Sequence, residues 1–284
     1  MIALAQNGLE VNYKMKIKLY SQYRRFNDFQ EPKYIQWDPD GQIEAYHDVF
    51  ISAAIHNKNN GKKKIAIITE PRCVWQHVFG NFDIELFLKR QYNLFQYIFT
   101  FDNEILKLPN AKPIGFPGIW YSGNEEKTKY ISICCSNKSM CPSHLKRKIV
   151  ADKLKNKVDV LGDYLGEARV STKDIYSQYK YSVVLENDCS YWYYTEKVIN
   201  AFANKCIPIY YGTPRILELF NPKGIIFVEN LDKIEEIIDN LNPHYYEENI
   251  DAVNENFELA KKYSCYEDCL YLDYQKELED LWKY

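Results

Sequence analysis

Residues 181–214 read as a strand, a polar aromatic loop, a helix and a second strand, an order that strongly limits the possible folds. Residues 182–185 form a short apolar run, typical of a strand buried on both faces. The following helix begins at Thr195, a good N-cap residue, and Val198, Ile199 and Phe202 give it an apolar side. Strand, helix and strand in this order predict a parallel α/β sheet.

The start of this helix carries an unexpected charge. Glu196 suits the positive N-terminal end of a helix, but Lys197 does not. A cation in the first turn is unfavourable unless an anion binds there, and the free amides of the same turn attract phosphate. The pair is therefore our first indication of a phosphate-binding site.

The same alternation extends over much of the chain. In the second half we predict strands at 129–135, 158–161, 181–185, 207–211 and 225–228. The helices predicted there are at 142–156, 172–179, from 195, and at 214–220, 231–241, 247–263 and 266–281. In the first half we predict strands at 15–20, 65–68 and 97–101, helices at 82–91 and 103–108, loop at 21–42, and a strand or short helix at 49–55. Residues 113–123, rich in Pro, Gly and aromatics, read as a linker or cleft wall.

Length and composition favour two α/β domains that face one another across a cleft. The chain has 284 residues, 46% of them hydrophobic, enough for two cores. A net charge of -3 without a basic run argues against nucleic-acid binding. The eight cysteines lack metal-binding spacing and are expected to be reduced. We find no membrane-spanning stretch and no signal peptide, and expect a cytoplasmic protein, leaving peripheral membrane attachment open.

Arg147 is a second candidate phosphate ligand. It lies on a predicted helix whose apolar stripe leaves the guanidinium on another face. Together with Lys197 it could clamp a diphosphate, although residues 146–148 could equally form a solvated basic face. Neither a dinucleotide-binding GxGxxG motif nor a P-loop motif is present.

Glu70 is the candidate catalytic base. If the diphosphate belonged to a sugar donor, transfer of the sugar with inversion would need a carboxylate to take a proton from the acceptor hydroxyl and cations to stabilise the leaving diphosphate. Glu70 ends the predicted strand 65–68 and precedes Pro71, but it could also be a structural carboxylate. Glu186, Asp188 and Glu196 compete for the role, and Glu196 also suits binding of a sugar hydroxyl.

The aromatic run 191–194 cannot point wholly into one core, so we expect part of it to face the cleft and pack on a ligand ring. A contact between domains or subunits is the alternative. His77 and His144 are assigned no role. The sequence Asp38-Pro39-Asp40 precedes a glycine and reads as a turn, so we expect no obligatory metal.

Residues 185–202, LENDCSYWYYTEKVINAF, and residues 207–228, IPIYYGTPRILELFNPKGIIFV, resemble the α-1,3/1,4-fucosyltransferases of glycosyltransferase family 10. The similarity is specific over residues 179–228. It is weaker at Ser136, Asn137 and Arg147 and at residues 97–102, and residues 1–96 show little resemblance.

The resemblance implies a GT-B fold of two Rossmann-like domains, and inverting transfer of fucose from GDP-fucose to a glycan hydroxyl without a required metal. We predict an acceptor-side domain at 1–122, a donor domain at 123–264, and a C-terminal helix at 265–284 that could pack back on the first domain. By position, Lys197 and Arg147 would hold the diphosphate, and Glu70 would be the base. The other predicted donor-binding residues are Glu196, Asn187, Tyr193, Asn137, Glu186 and Tyr191.

Two alternatives stay open at this point. The same fold could use another nucleotide sugar, or the chain could be a non-catalytic glycan-binding protein. The expected partners are a nucleotide sugar and a glycan acceptor.

Overall fold

The computed structural model of the protein describes residues 14–26, 28–80, 82–166 and 168–283. The prediction about a signal peptide concerns residues 1–13, which lie outside the described part. Two separate sheets, each made of parallel strands only, confirm the predicted two-part α/β architecture.

The first sheet has six strands in the order β2-β1-β3-β4-β5-β6. They are β1 (Met15–Tyr20), β2 (Ile35–Trp37), β3 (Ile43–His47), β4 (Lys63–Ile67), β5 (Tyr97–Thr100) and β6 (Ala111–Pro113). β1, β4 and β5 match the predicted strands, whereas β2, β3 and β6 were not predicted. β2 and β6 have three residues each, too few to show a period, and β3 carries a buried Glu44 and His47 that break an apolar pattern.

The helices of the first half differ in part from the prediction. Residues 48–55 form a 3-10 helix, which settles the choice left open there. Helix α1 (Arg72–Phe79) was not predicted, whereas α2 (Ile84–Gln91) was, and the Asp83 side chain caps α2 by accepting from the Leu86 amide at 2.9 Å. The predicted helix at 103–108 is a short 3-10 turn, Ile105–Lys107.

The second sheet has five strands in the order β11-β10-β9-β7-β8. They are β7 (Lys129–Cys134), β8 (Asp159–Leu161), β9 (Tyr179–Leu185), β10 (Ile207–Tyr211) and β11 (Ile226–Phe227). All five were predicted to within two residues. β9 lies in the centre, and six of its seven side chains are buried, as expected for a strand covered on both faces.

Seven helices surround the second sheet within the described residues. They are α3 (Pro142–Leu154), α4 (Thr172–Tyr176), α5 (Glu196–Phe202), α6 (Ile216–Leu219), α7 (Ile234–Asp239), α8 (Tyr245–Glu248) and α9 (Ile250–Ala260). Thr195 caps α5 as predicted, because its side chain accepts from the Lys197 amide. All eight cysteines are free.

The last two helices, α10 (Tyr266–Asp273) and α11 (Gln275–Trp282), leave the second sheet and pack on the first. Tyr266, Leu270 and Leu278 are buried in one cluster with residues of β1, β3 and β4. The domain boundaries remain a prediction. No helix in the described ranges has the length and apolar character needed to cross a membrane.

Candidate active site

A cleft of about 640 Å³ separates the two sheets. Tyr23, Thr69 and Glu70 line it from the first sheet, where they follow the carboxyl ends of β1 and β4. Ser136 and Asn187 line it from the second sheet, after the carboxyl ends of β7 and β9. Ligands of open α/β sheets bind at such ends, so this cleft is the candidate site.

A smaller pocket of about 180 Å³ lies in the second half, and five of its lining residues also line the cleft: Trp120, Ser136, Arg147, Glu196 and Lys197. Its inner wall includes Ile175, Tyr176 and Val184. Apolar walls with a few polar groups are typical of small-molecule sites. The two spaces together suit a ligand with one flat apolar end and one charged part.

Lys197 solves the charge mismatch at the start of α5 by pairing with two carboxylates. Its Nζ lies 3.4 Å from Oε2 of Glu186 and 3.3 Å from Oε1 of Glu196, and 3.0 Å from Oγ1 of Thr195. Burial alone would lower the pKa of Lys197, but Glu196 and Glu186 outweigh it and the pKa is raised. The lysine is therefore a permanent cation in the site.

Glu186 is the buried anchor of this group. Its side chain is inaccessible to solvent and accepts hydrogen bonds from the Thr195 amide at 2.9 Å and the Thr195 hydroxyl at 2.9 Å. Burial raises the pKa of Glu186, and Lys197 offsets part of that effect. Glu186 does not line the cleft, so in this structure it holds Thr195 and Lys197 in place.

Arg147 lies beside this group, on α3. Its Nη2 donates to the Leu185 carbonyl at 2.8 Å and to Oδ1 of Asn187 at 2.9 Å. The Ser143 hydroxyl donates to the Asn187 carbonyl at 2.6 Å, so α3 is tied to the end of β9. The remaining guanidinium donors are available to an anion in the cleft.

The pKa of His144 is affected by the positive charge of this wall. It is 5% exposed, and its Nδ1 accepts from the Met140 amide at 3.2 Å, which places the proton on Nε2. Burial lowers the pKa of His144 to about 4, and Arg147, Lys138 and Lys197 contribute to the same lowering. The ring is therefore neutral at pH 7, and it is a cleft-lining residue to which the sequence assigned no role.

The wall from the second half has an excess of positive charge. Among the described residues its cleft-lining charges are four cations and one carboxylate: Lys138, Arg147, Arg169, Lys197 and Glu196. Neither Lys138 nor Arg169 was predicted, because each lies in a loop whose sequence shows no motif. Such a wall suits a polyanionic ligand.

Glu70 lies on the opposite wall, on the first sheet. Trp75 Nε1 donates to the Glu70 carbonyl at 2.6 Å, whereas the carboxylate makes no hydrogen bond to any described residue. Burial raises the pKa of Glu70, Asp48 raises it further, and Lys197 acts in the opposite sense. An unpaired carboxylate with a raised pKa is the form expected of a general base.

The aromatic run divides between different environments. Tyr193 is 2% exposed and lines the cleft, and its ring packs 4.5 Å from that of Phe101 in the first half. Tyr191 does not line either space, because its hydroxyl donates to Glu218 at 2.8 Å, while Trp192 stacks on Arg215. One of the four aromatics thus meets the cleft, and the run also makes the contact between domains that was the alternative.

Asn137 also lies outside both spaces. Its amide donates to Oδ1 of Asp163 at 2.8 Å and its side chain to the Asp163 carbonyl at 2.7 Å. The turn predicted at Asp38 is confirmed, since its carboxylate accepts from the Asp40 amide at 2.8 Å. Within the described residues, no group of three His, Cys, Asp or Glu side chains is arranged to hold a metal ion.

Trp120 is a lining residue that the sequence did not single out. It belongs to the linker 113–123, which is held against α5 because Oδ1 of Asn200 accepts from the Trp120 amide at 2.9 Å. Trp120 is 41% exposed and lies 6.1 Å, between ring centroids, from Phe29 of the first half. The Pro, Gly and aromatic content of the linker was the available signal.

The comparisons with known proteins agree with the fold. Residues 124–276, more than half of the chain, match the model of the C-terminal part of glycosyltransferase family 10, the fucosyltransferases. The chain therefore belongs to glycosyltransferase family 10.

Individual proteins and solved structures are also similar to this chain. An alpha-(1,3)-fucosyltransferase of Helicobacter pylori is 39% identical over 75 residues, which are 26% of this chain and 16% of that protein. A crystal structure of an alpha1,3-fucosyltransferase with GDP has a TM-score of 0.57 at 17% identity and covers 98% of this chain and 94% of its own. A structure described as a complex with UDP-glucose has a TM-score of 0.53 at 9% identity, over 86% of this chain and 79% of its own. The structural likenesses establish the GT-B type of fold.

Proposed function

We propose that the protein is an inverting fucosyltransferase that moves fucose from GDP-fucose to a hydroxyl of a glycan acceptor. The observation that carries the proposal is that Glu70 and the pair Arg147 and Lys197 line one cleft from opposite sheets. A base and a cationic leaving-group site on facing walls are what a displacement with inversion needs. Membership of family 10 and the GDP-bound structural neighbour support the choice of donor.

The donor would lie along the wall of the second half. The apolar pocket behind Trp120 suits the guanine ring of the nucleotide, and Glu196 can accept from ribose or sugar hydroxyls. Arg147 and Lys197 would bind the diphosphate, with Asn187 holding the guanidinium. Tyr191 and Asn137 are too engaged elsewhere to be direct ligands in this arrangement.

The reaction would proceed in one displacement. Glu70 removes the proton from the acceptor hydroxyl. The hydroxyl oxygen of the acceptor bonds at the same time to the sugar C1, on the face opposite the diphosphate. The bond from C1 to the phosphate oxygen breaks, and its electron pair stays on GDP. Lys197 and Arg147 stabilise that charge, which grows in the transition state and is therefore the place where electrostatic groups act most.

The acceptor would lie against the first half, where the wall is aromatic. Tyr23 is 47% exposed and Phe29 is 63% exposed, on the loop that follows β1. Exposed rings in a cleft suit the apolar faces of sugars. No metal is assigned to the reaction, and metal independence is part of the proposal.

The test is transfer assayed with Glu70→Gln and Arg147→Ala. Glu70→Gln should abolish transfer yet leave GDP binding intact, whereas Arg147→Ala should weaken GDP binding. The matched control for the second is Lys146→Ala, because Lys146 is its neighbour on α3 and does not line the cleft. Full activity of Glu70→Gln would move the base to another carboxylate.

The choice of donor is tested separately. Thermal unfolding with a panel of nucleotide sugars ranks ligands, since a ligand that binds only the folded state raises its apparent stability. GDP-fucose should give the largest shift. A larger shift with another nucleotide sugar would replace the donor, and binding without turnover on any glycan would favour a non-catalytic protein.

A further inference from the structure

Asp48 has an unusual backbone conformation at the end of β3. Its φ is 47°, in the left-handed region that residues other than glycine rarely adopt. Such a conformation is costly and persists where the surrounding contacts determine it. Among the described residues, the other non-glycine example is Lys205, which follows a helix, so the strain at Asp48 calls for a separate explanation.

The conformation places the Asp48 carboxylate against Thr69. Oδ1 accepts from the Thr69 amide at 3.0 Å, and Oδ2 accepts from the Thr69 hydroxyl at 3.0 Å. Nε2 of His47 lies 2.8 Å from the same Oδ2, and Nδ1 of His47 lies 2.9 Å from the Ser21 hydroxyl. His47 and Asp48 are 2% and 3% exposed. The result is a buried polar network behind Thr69, which itself lines the cleft.

This network acts on the residue next in sequence. Thr69 directly precedes Glu70, and the Glu70 carbonyl is held from the other side by Trp75 Nε1 at 2.6 Å. The backbone of residues 69 and 70 is therefore fixed at both ends, while the Glu70 side chain is left unpaired toward the cleft. None of these contacts is needed to close the sheet, because β3 and β4 already pair from residue 43 to residue 47 and from residue 63 to residue 67.

We propose that the buried pair His47 and Asp48 is a positioning pair, which holds Glu70 in the orientation that receives the proton of the acceptor. The inference rests on the proposed function, in which Glu70 is the base. It adds two residues that do not touch the substrate but act through Thr69.

The pair also has an electrostatic effect. Burial raises the pKa of Glu70 first, and Asp48 is the next largest cause. Loss of the Asp48 charge should therefore lower that pKa. The other titratable groups that act on Glu70, or on which it acts, come from the first strand end, from β3 and from α5: Tyr23, His47, Lys197 and Glu196. Asp48→Asn leaves these residues in place, but it also removes the carboxylate that Nε2 of His47 contacts at 2.8 Å.

Asp48→Asn is the most direct variant. Asparagine tolerates the left-handed conformation and still offers one oxygen to the Thr69 amide, so the fold is preserved while the charge is removed. We expect kcat to fall by about 10- to 100-fold, a part of the contribution of a general base. The acid limb of the profile of kcat against pH should move to lower pH, because Glu70 becomes a weaker base. KM for GDP-fucose should stay the same.

Glu44→Gln is the matched control. Glu44 is a buried carboxylate of β3, the strand that precedes Asp48; it is 1% exposed and accepts from the Tyr46 hydroxyl at 2.6 Å and from Asn60 at 2.9 Å, outside the cleft. Its replacement should lower the melting temperature without moving the acid limb. His47→Gln retains the Asp48 charge, so it should lower kcat without moving the limb to lower pH. It also serves if Asp48→Asn does not fold.

The outcomes separate the two proposals. If Glu70→Gln is inactive, and Asp48→Asn shifts the acid limb while Glu44→Gln does not, the positioning pair is supported. If Glu70→Gln is inactive but Asp48→Asn and His47→Gln keep normal kcat and profile, the positioning pair is overturned and the base stands. If Glu70→Gln retains full activity, the base assignment itself fails.

Discussion

The two walls of the cleft are built in different ways. On the second sheet, residues 185–200 supply the buried anchor, one cation and the carboxylate of the site, Glu186, Lys197 and Glu196, and Arg147 of α3 adds a second cation. On the first sheet, the site combines the end of β4, the loop after β1 and contacts from α10, and the contact between that loop and α10 joins residues 241 positions apart in sequence. The charged wall is thus concentrated in one stretch that Arg147 completes from α3, whereas the wall on the first sheet is assembled from segments far apart in sequence.

The largest effect is expected from removing a cation of the wall on the second sheet. Lys197→Ala should lower kcat by about 10²- to 10³-fold, the loss typical of one preorganised electrostatic group. It should also lower the melting temperature, because Glu186 is left buried without its cation. Initial rates with GDP-fucose and thermal unfolding measure the two effects.

A double variant separates these effects. Lys197→Met combined with Glu186→Gln removes both charges, and the glutamine oxygen can still accept from Thr195. Stability should return while activity stays low. Recovery of activity together with stability would mean that Lys197 serves the fold alone.

The next effect concerns the dispersed wall. Glu267 is inaccessible to solvent, and its Oε1 accepts from the Phe26 amide at 3.1 Å and from Trp37 Nε1 at 2.8 Å, which holds the loop after β1. Glu267→Ala leaves both donors unpaired, and we expect KM for the acceptor to rise about 10-fold, consistent with a cost of 1–3 kcal/mol per buried unpaired group. KM for GDP-fucose should change little.

Glu277→Ala is the control for that variant. Glu277 lies on α11 and pairs with Lys112 at 3.1 Å, away from the loop. It should leave both KM values as they are. An equal rise of donor and acceptor KM in Glu267→Ala would show that the two walls are not independent.

A smaller effect is expected at His144. Burial lowers the pKa of His144 to about 4 and the nearby cations contribute, so a bound diphosphate, which offsets their charge, should raise that pKa. An NMR titration of the imidazole with and without GDP measures the change, with Arg147→Ala as a variant whose free form should already have a higher pKa. A pKa that GDP leaves unmoved would place the diphosphate elsewhere.

The smallest expected effect is that of metal removal. Because cations of the chain itself face the diphosphate, we expect EDTA to leave the transfer rate unchanged. Activity that is lost with EDTA and restored by Mg²⁺ or Mn²⁺ would contradict this prediction.

The sequence predicts the second half better than the first, for physical reasons. Strands such as β9 are apolar because both faces are covered, and a continuous apolar run can be recognised from the residue types alone. β3 is equally buried, but Glu44 is satisfied by Tyr46 and Asn60, partners that the sequence does not reveal. A strand is harder to predict when it contains a buried polar residue whose hydrogen-bond partner, such as Asn60, lies outside the strand.

The same limit applies to the candidate site. Lys197 and Arg147 could be predicted because charge at a helix start has a local explanation. The direction of Tyr191 depends on Glu218, and that of Asn137 on Asp163, and neither contact follows from the sequence. The strained conformation of Asp48 was equally out of reach, since φ is set by the contacts with Thr69.

The return of α10 and α11 to the first sheet has a consequence for biosynthesis. Tyr266, Leu270 and Leu278 complete the core that β1, β3 and β4 begin, yet the ribosome makes them after the whole second sheet. The core of the first half therefore stays incomplete until the second half has been made. A nascent chain stalled before residue 265 should therefore bind GDP but no acceptor.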